Sequence, residues 1–194
     1  MAIQHATTTR NRLRDGYVAA FPAGAVLSIR TGAPAGVGGA AGGTQLAAIT
    51  LPTTPLTSGT GQVALNGTWS VAATAAGTAR SYRLTNGSDI EEGDVFQAVN
   101  LTTNAITAAN GNVLTFAATT GVVVGMTATG TGIPAGATVL AVAATTVTLS
   151  LASSAGVASG AAIAFGGDIT LDNTNIANGQ NVSITSWTRT MPAA

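Results

Sequence analysis

Residues Met126–Ser150 read MTATGTGIPAGATVLAVAATTVTLS. Nearly every side chain here is a methyl, a hydroxyl or a bare hydrogen, and none is charged. Gly and Pro fall at fairly even intervals, and the pieces between them, Val122–Thr129, Thr138–Val142 and Thr145–Leu151, are short and rich in Val and Thr. β-branched residues suit a pleated surface, and Gly/Pro-punctuated runs of this length predict short strands joined by turns. The same texture extends to Asn112–Ala117 and Ala161–Phe165. Together these five runs predict a small sandwich or barrel. From residue 95 to residue 167 the chain carries no charged side chain at all.

On both sides of this region the strand signals continue. Ala25–Thr31, Thr44–Leu51, Gln62–Leu65, Thr68–Ala72, Thr78–Thr85 and Gly93–Leu101 precede it. Asp168–Leu171 and Asn181–Thr190 follow it. Asn66-Gly67 between two of these runs predicts a tight hairpin, and Asn86-Gly87 and Asn178-Gly179 predict turns. The Gly-rich segment Thr31–Gly43 predicts an exposed flexible tongue. One helix is predicted, over Thr7–Phe21, capped by Thr7, Thr8 or Thr9 and closed by Pro22 and Gly24. Its apolar stripe is Leu13, Tyr17 and Phe21. The fold class expected is mainly β: an antiparallel β-sandwich with a short N-terminal α-helix and an inserted small β-sandwich or barrel-like module. The expected division is residues 1–101 plus 167–194 for the main body and 102–166 for the insert.

The totals narrow the function. The chain has 194 residues, 46% apolar and only 7% charged. Seven arginines balance seven acids and there is no Lys. A net charge of zero gives no basic face for nucleic acid. So little charge also protects a free monomer poorly, so a homo-oligomer or a permanently assembled state is expected. Cys is absent, which excludes disulfides and thiolate metal sites. The first residues lack the apolar core of a secretion signal. The longest strictly apolar run, VLAVAA at 139–144, is far short of the roughly 20 residues a membrane helix needs.

Candidate chemistry is sparse. His5 is the only histidine, placed ahead of the helix, and reads as an incidental terminal residue. The acidic run Asp89–Asp94 lacks the spacing of a calcium loop. To hold a cation it would need Asp168 and Asp172 as further ligands, and it reads instead as a solvated hairpin tip. Trp69 and Trp187 read as core rather than as a sugar platform. The glycines of 36–43 lack the Lys and the following helix of a phosphate loop. No catalytic, cofactor-binding or metal residue is assigned, no cofactor is implied, and an enzyme is not expected. The one concentration of positive charge, Arg10, Arg12 and Arg14, reads either as a solvated helix face or as a docking face for a partner, where guanidinium forks bind well.

Several segments carry a resemblance. Ser28–Pro34 ends a strand in a T-G-x-P turn; Thr44–Leu51 reads TQLAAITL, Gly77–Leu84 reads GTARSYRL, and Asp168–Ser186 reads DITLDNTNIANGQNVSITS. In this order, behind an amphipathic helix, they resemble a family of small tailed-bacteriophage structural proteins. The region near 130–136, GTGIPAG, resembles inserted modules of phage virion and bacterial surface proteins. The resemblance implies a non-enzymatic virion component that decorates or cements the head shell or neck. Its partners would be the major capsid protein or neck and connector proteins, with no nucleic acid and no membrane. It would be made in the host cytoplasm and released in the virion. A tail-associated or fibre-like adhesin touching host glycan is the alternative.

Overall fold

The computed structural model describes residues 5–153, 155–171, 173–184 and 187–191. The protein is mainly β, with one helix, α1 (Thr7–Ala20), and several antiparallel sheets. Among the described residues no helix is long and apolar enough to cross a membrane. The chain divides into two compact units, residues 1–95 with 168–194, and residues 96–167.

The first unit is built on a five-stranded sheet. Its members are β1 (Val26–Arg30), β2 (Gln45–Thr50), β7 (Ser81–Thr85), β8 (Ile90–Gln97) and β15 (Ile169–Leu171), in the order β15-β8-β7-β1-β2. Central β1 is buried on both faces, at Leu27, Ser28 and Ile29. Register sets Leu27 between Ile49 and Leu84, and Ile29 between Ala47 and Tyr82. The Ser28 hydroxyl donates to the Arg83 carbonyl, so this polar group is not left bare in the core.

Three small sheets share the apolar cluster with this one, giving a sandwich-like body. They pair β3 (Leu56–Gly59) with β4 (Gln62–Leu65) and β18 (Thr188–Thr190), β5 (Trp69–Ala72) with β17 (Asn181–Ile184), and β6 (Gly77–Thr78) with β16 (Asn175–Ile176). Alternation in β17 buries Val182 and Ile184 as its sequence pattern requires. The predicted strand Asn181–Thr190 is therefore two strands in two sheets, and residues 185–186 lie outside the described part. Gly93–Leu101 is likewise divided between β8 and β9 (Val99–Thr102).

Asn66-Gly67 does not close a hairpin. The strands on either side of it pair with different partners. The Asn66 side-chain amide donates to the Thr54 carbonyl and its backbone N–H to Pro55, so the chain is held while it crosses between sheets. The tight hairpin lies earlier, where Gly59 faces Gln62 across Thr60-Gly61 and Gly61 takes φ +61°. Asn86 does make a turn: its side-chain oxygen accepts from the N–H groups of Ser88 and Asp89 between β7 and β8.

The helix also departs from expectation. Ala6 precedes it, and no Thr side chain caps it. Leu13 is 44% exposed. Tyr17 and Val18 pack on the core, and Phe21, just past the helix, is buried in it. Residues 10, 14, 17 and 21 follow one stripe at spacings of four, three and four, and this stripe meets the body. The tongue is exposed but tethered. Arg30 donates to the carbonyls of Gly42 and Gly43, Arg83 donates to Gly39, and the Gly36 N–H donates to Glu92.

The second unit contains β9, β10 (Val113–Thr115), β11 (Thr127–Gly130), β12 (Val139–Val142), β13 (Thr146–Leu149) and β14 (Ala162–Gly166). Two three-stranded sheets, β10-β13-β12 and β11-β14-β9, are joined at both seams. Thr127 bridges to Thr138 at one seam and Thr103 to Phe116 at the other. The six strands therefore form a closed ring with its own core, centred on Leu114, Phe116, Met126, Val147, Ile163 and Phe165. Among the described residues, closure pairs the outer strands of the two sheets with one another. Since Val99–Thr102 pairs along β14, β9 belongs to this unit, and the expected border after Leu101 falls inside its terminal strand.

Candidate functional site

Glu91 on β8 gathers a cluster of polar side chains in the first unit. The pairing of β7 with β8 sets Leu84 opposite Glu91 and Tyr82 opposite Gly93. Tyr82 Oη donates to Glu91 Oε1, and Tyr17 Oη, from α1, donates to Oε2 at 2.5 Å. Arg189 on β18 donates to Oε1 through Nε at 3.0 Å and Nη2 at 2.6 Å. The same guanidinium reaches Asp168 Oδ1 at 3.0 Å and donates to the Tyr82 hydroxyl. Its carbon lies 5.3 Å from the Trp187 ring centroid, in cation–π range. Four donors thus meet one carboxylate, which offers about four acceptor positions.

Both tyrosines are pushed above the ordinary phenol range, first by burial and then by the Glu91 charge and its hydrogen bond. They stay protonated donors. Burial alone would lower the Arg189 pKa; its interactions with the Tyr82 hydroxyl, with Glu91 and with Asp168 outweigh it and raise it. The result is a saturated clamp that fastens α1, β7, β8 and β18 and leaves Glu91 engaged. Gly93 makes it possible: a Cβ there would lie 2.4 Å from Asp168 Oδ2 and 2.6 Å from Tyr82 Cε1.

The acidic run is therefore not a solvated tip. Glu91 belongs to the clamp. Glu92 pairs with Arg83 at 3.0 Å, with its side chain only 5% exposed. Asp89 accepts from the Asn86 amide within the turn. The reason is that the run is mostly strand, so successive side chains point to opposite faces. Among the described residues no group of three or more His, Asp or Glu is placed to hold a metal. Asp172 lies outside the described residues. Trp69 and Trp187 are core residues, as their sequence context implies, with ring centroids 5.8 Å apart. Both indole N–H groups are buried without a partner among the described atoms.

The arginine trio does not form one outward face. Arg14 Nη1 donates to the Gly59 carbonyl at 2.6 Å, and Arg14 pairs with Asp15. Arg10 lies against the β3–β4 turn, where a Cβ on Gly61 would meet its guanidinium at 2.7–2.8 Å. Asn11 reinforces this contact by accepting the Gly61 N–H at 2.9 Å. The turn is built of backbone donors and acceptors with little side chain, so long polar residues of the helix settle on it. Arg12, opposite that stripe, is the exposed member. His5 lies two residues ahead of the helix.

Sequence reading did not find the clamp, because its members are scattered over residues 17 to 189. The available signal was Tyr82, flanked by Ser81 and Arg83 in an alternating strand beside the acidic run. Two recesses open among the described residues. One, of about 210 Å³, lies among Leu171, Asn173, Gln180, Asn181, Val182 and Ser183 in the first unit. The other, of about 520 Å³, is an apolar cleft at one end of the second unit, lined among others by Ile106, Ala108, Gly132, Ala155 and Ala158.

Fold and site define a mainly β protein whose polar clusters fasten its own elements. Compared with protein-family models, curated proteins and solved structures, the chain matches none of them.

Proposed function

We propose that the chain is a non-enzymatic structural component of a tailed-phage virion. It decorates or cements the head shell or neck through contacts with the major capsid protein or with neck and connector proteins. The observation that carries this reading is the division of polarity. Glu91 and Glu92 of the first unit are engaged in internal ties to tyrosine and arginine. The second unit presents a surface with no charge at all. Such a molecule is suited to lasting contact rather than to proton or group transfer. The segments that resemble the phage family fall in the first unit, and this supports the same reading.

Docking by the N-terminal helix narrows from three arginines to Arg12, since Arg10 and Arg14 face the chain's own β3–β4 turn. The glycan-binding alternative lacks support in the second unit, because the cleft there is lined by small aliphatic and hydroxyl residues, without an aromatic ring for a sugar to stack on.

The test is particle composition. Quantitative mass spectrometry of particles purified after lysis of the producing cells is expected to find the chain at fixed stoichiometry. An Arg12→Glu variant is expected to keep its melting temperature and lose occupancy. Absence of the chain from purified particles would overturn the virion reading. Full occupancy of the variant would remove Arg12 from the contact.

A further inference from the structure

The second unit has one end opposite to where the chain enters and leaves it. The chain enters at the start of β9 and leaves at the end of β14, and Val99 pairs with Phe165 there. At the other end of the same two strands, past Thr102 and before Ala162, lies the 520 Å³ apolar cleft. Its floor is fixed. Thr107 and Val157 exchange both backbone hydrogen bonds at 2.9 Å, and the Thr107 hydroxyl donates to the Val113 carbonyl. Glycines hold its walls close: a Cβ on Gly132 would lie 2.2 Å from the Gly156 carbonyl oxygen. The cleft is thus preformed rather than opened by a ligand. On its rim stands Ile106, 79% exposed, the most exposed of the large apolar side chains described.

We infer that this end binds the same end of a second copy about a two-fold axis, with Ile106 of each copy seated in the cleft of the other. A knob beside a hole is a self-complementary patch, which a two-fold contact requires. Charge chooses the occupant. Residues 95–167 carry no charged side chain, so a like surface buries apolar and hydroxyl groups and strands no ion. A charged partner would lose hydration with nothing here to pair with it. The small residues around the cleft, among them Ala108, Ala155 and Ala158, let two backbones approach closely. The contact is small, so the dimer is weak and forms as concentration rises. The inference gives a site to the homo-oligomer expected from the chain's low charge. It is tested on the isolated chain, so its failure and that of the virion reading are separable.

Sedimentation velocity of the full chain over about 1 µM to 1 mM is the experiment, a span that brackets weak dissociation constants. Wild type is expected to pass from monomer to dimer. Ile106→Asp, and independently Ala158→Arg, which fills the cleft from its exposed wall, are expected to raise the dissociation constant about tenfold or more, as loss of one buried aliphatic contact should. Leu140→Asp is the control, at a side chain 56% exposed and outside the cleft. It is expected to leave the dimer intact, and all three variants to keep the wild-type melting temperature. The inference is overturned by a wild type that stays monomeric throughout. It is equally overturned by cleft variants that dimerise as wild type does, or by a control that weakens association as much as they do.

Discussion

The seven arginines and seven acids all lie within residues 1–95 and 168–194, while residues 96–167 carry no charge. The first unit spreads its strands over one five-stranded sheet and three small ones. Its many edges are tied by side chains: Glu91 gathers Tyr17, Tyr82 and Arg189, and Arg14 and Asn11 hold the β3–β4 turn. The second unit closes six strands into a ring, where backbone pairing satisfies nearly every edge. It has no ion pairs, and threonine hydroxyls tie its turns, as where Thr119 Oγ1 donates to the Ala143 carbonyl after β12 at 2.6 Å. Closed topology and charged ties are thus two solutions to one problem, the unpaired edge of a sheet.

An internal reporter can separate the two. Trp69, Trp187, Tyr17 and Tyr82 all belong to the first unit, and residues 96–167 hold no Trp or Tyr. The largest expected effect is in the ring. Phe116 is buried against Phe165, with centroids 5.8 Å apart. Phe116→Ala should cost about 3–5 kcal/mol. Calorimetry should show the transition of the second unit falling while the Trp fluorescence transition stays in place. A matching fall in fluorescence would mean that the units unfold together, and the comparison would lose its basis.

Glu91→Ala should act on the other side of the comparison. It takes from Arg189 the acceptor of its Nε, leaving it Asp168 and the Tyr82 hydroxyl, and leaves two tyrosine hydroxyls without theirs, in a site where Glu91 and Arg189 are only 18% and 22% exposed. Breaking a largely buried pair from one side costs about 3 kcal/mol. Denaturation followed by Trp fluorescence should show this loss. A change below about 0.5 kcal/mol, the scale of an exposed site, would mean that the clamp contributes nothing and that packing alone holds the first unit.

Gly93→Ala comes next in size. The added methyl collides with the Tyr82 ring and with Asp168. Tyr82 is buried and cannot swing away, so overpacking should cost about 1–3 kcal/mol. The same fluorescence measurement checks it, and a neutral result would show the clamp to be loose enough to absorb a methyl group.

Local sequence carried much of this fold. The strand class and most strand positions were legible, because Gly, Pro and Asn interrupt runs of β-branched residues at regular intervals. Pairing was less legible. Asn66-Gly67 has the chemistry of a hairpin, yet Val63 and Trp69 are drawn into different sheets by different neighbours. Strands β6 and β16, at two residues each, are too short to leave a pattern. The helix stripe departs from its spacing at Leu13, because the β3–β4 turn offers backbone groups that Asn11 and Arg14 satisfy better than an alkyl chain could. The clamp was out of reach of spacing, since its members are brought together only by the sheet order.

The smallest expected effect concerns Asp94, and its sign matters more than its size. The Asp94 carboxyl is held above its ordinary value of 3.8, first by burial and then by the nearby Asp168 charge, with Arg80 opposing. A carboxyl whose folded pKa lies above its unfolded pKa binds its proton more tightly when folded. Its ionisation therefore disfavours folding at neutral pH, and this penalty fades as the pH drops through the folded and then the unfolded pKa. Asp94→Asn removes the charge and keeps the shape. The variant should be slightly more stable than wild type at pH 7, by Trp-monitored denaturation, and the difference should close as the solution is acidified below the ordinary carboxylate range. A variant less stable at pH 7 would reverse the assignment: Arg80 would then be the dominant neighbour, and Asp94 would belong with the ion pairs that tie this unit together.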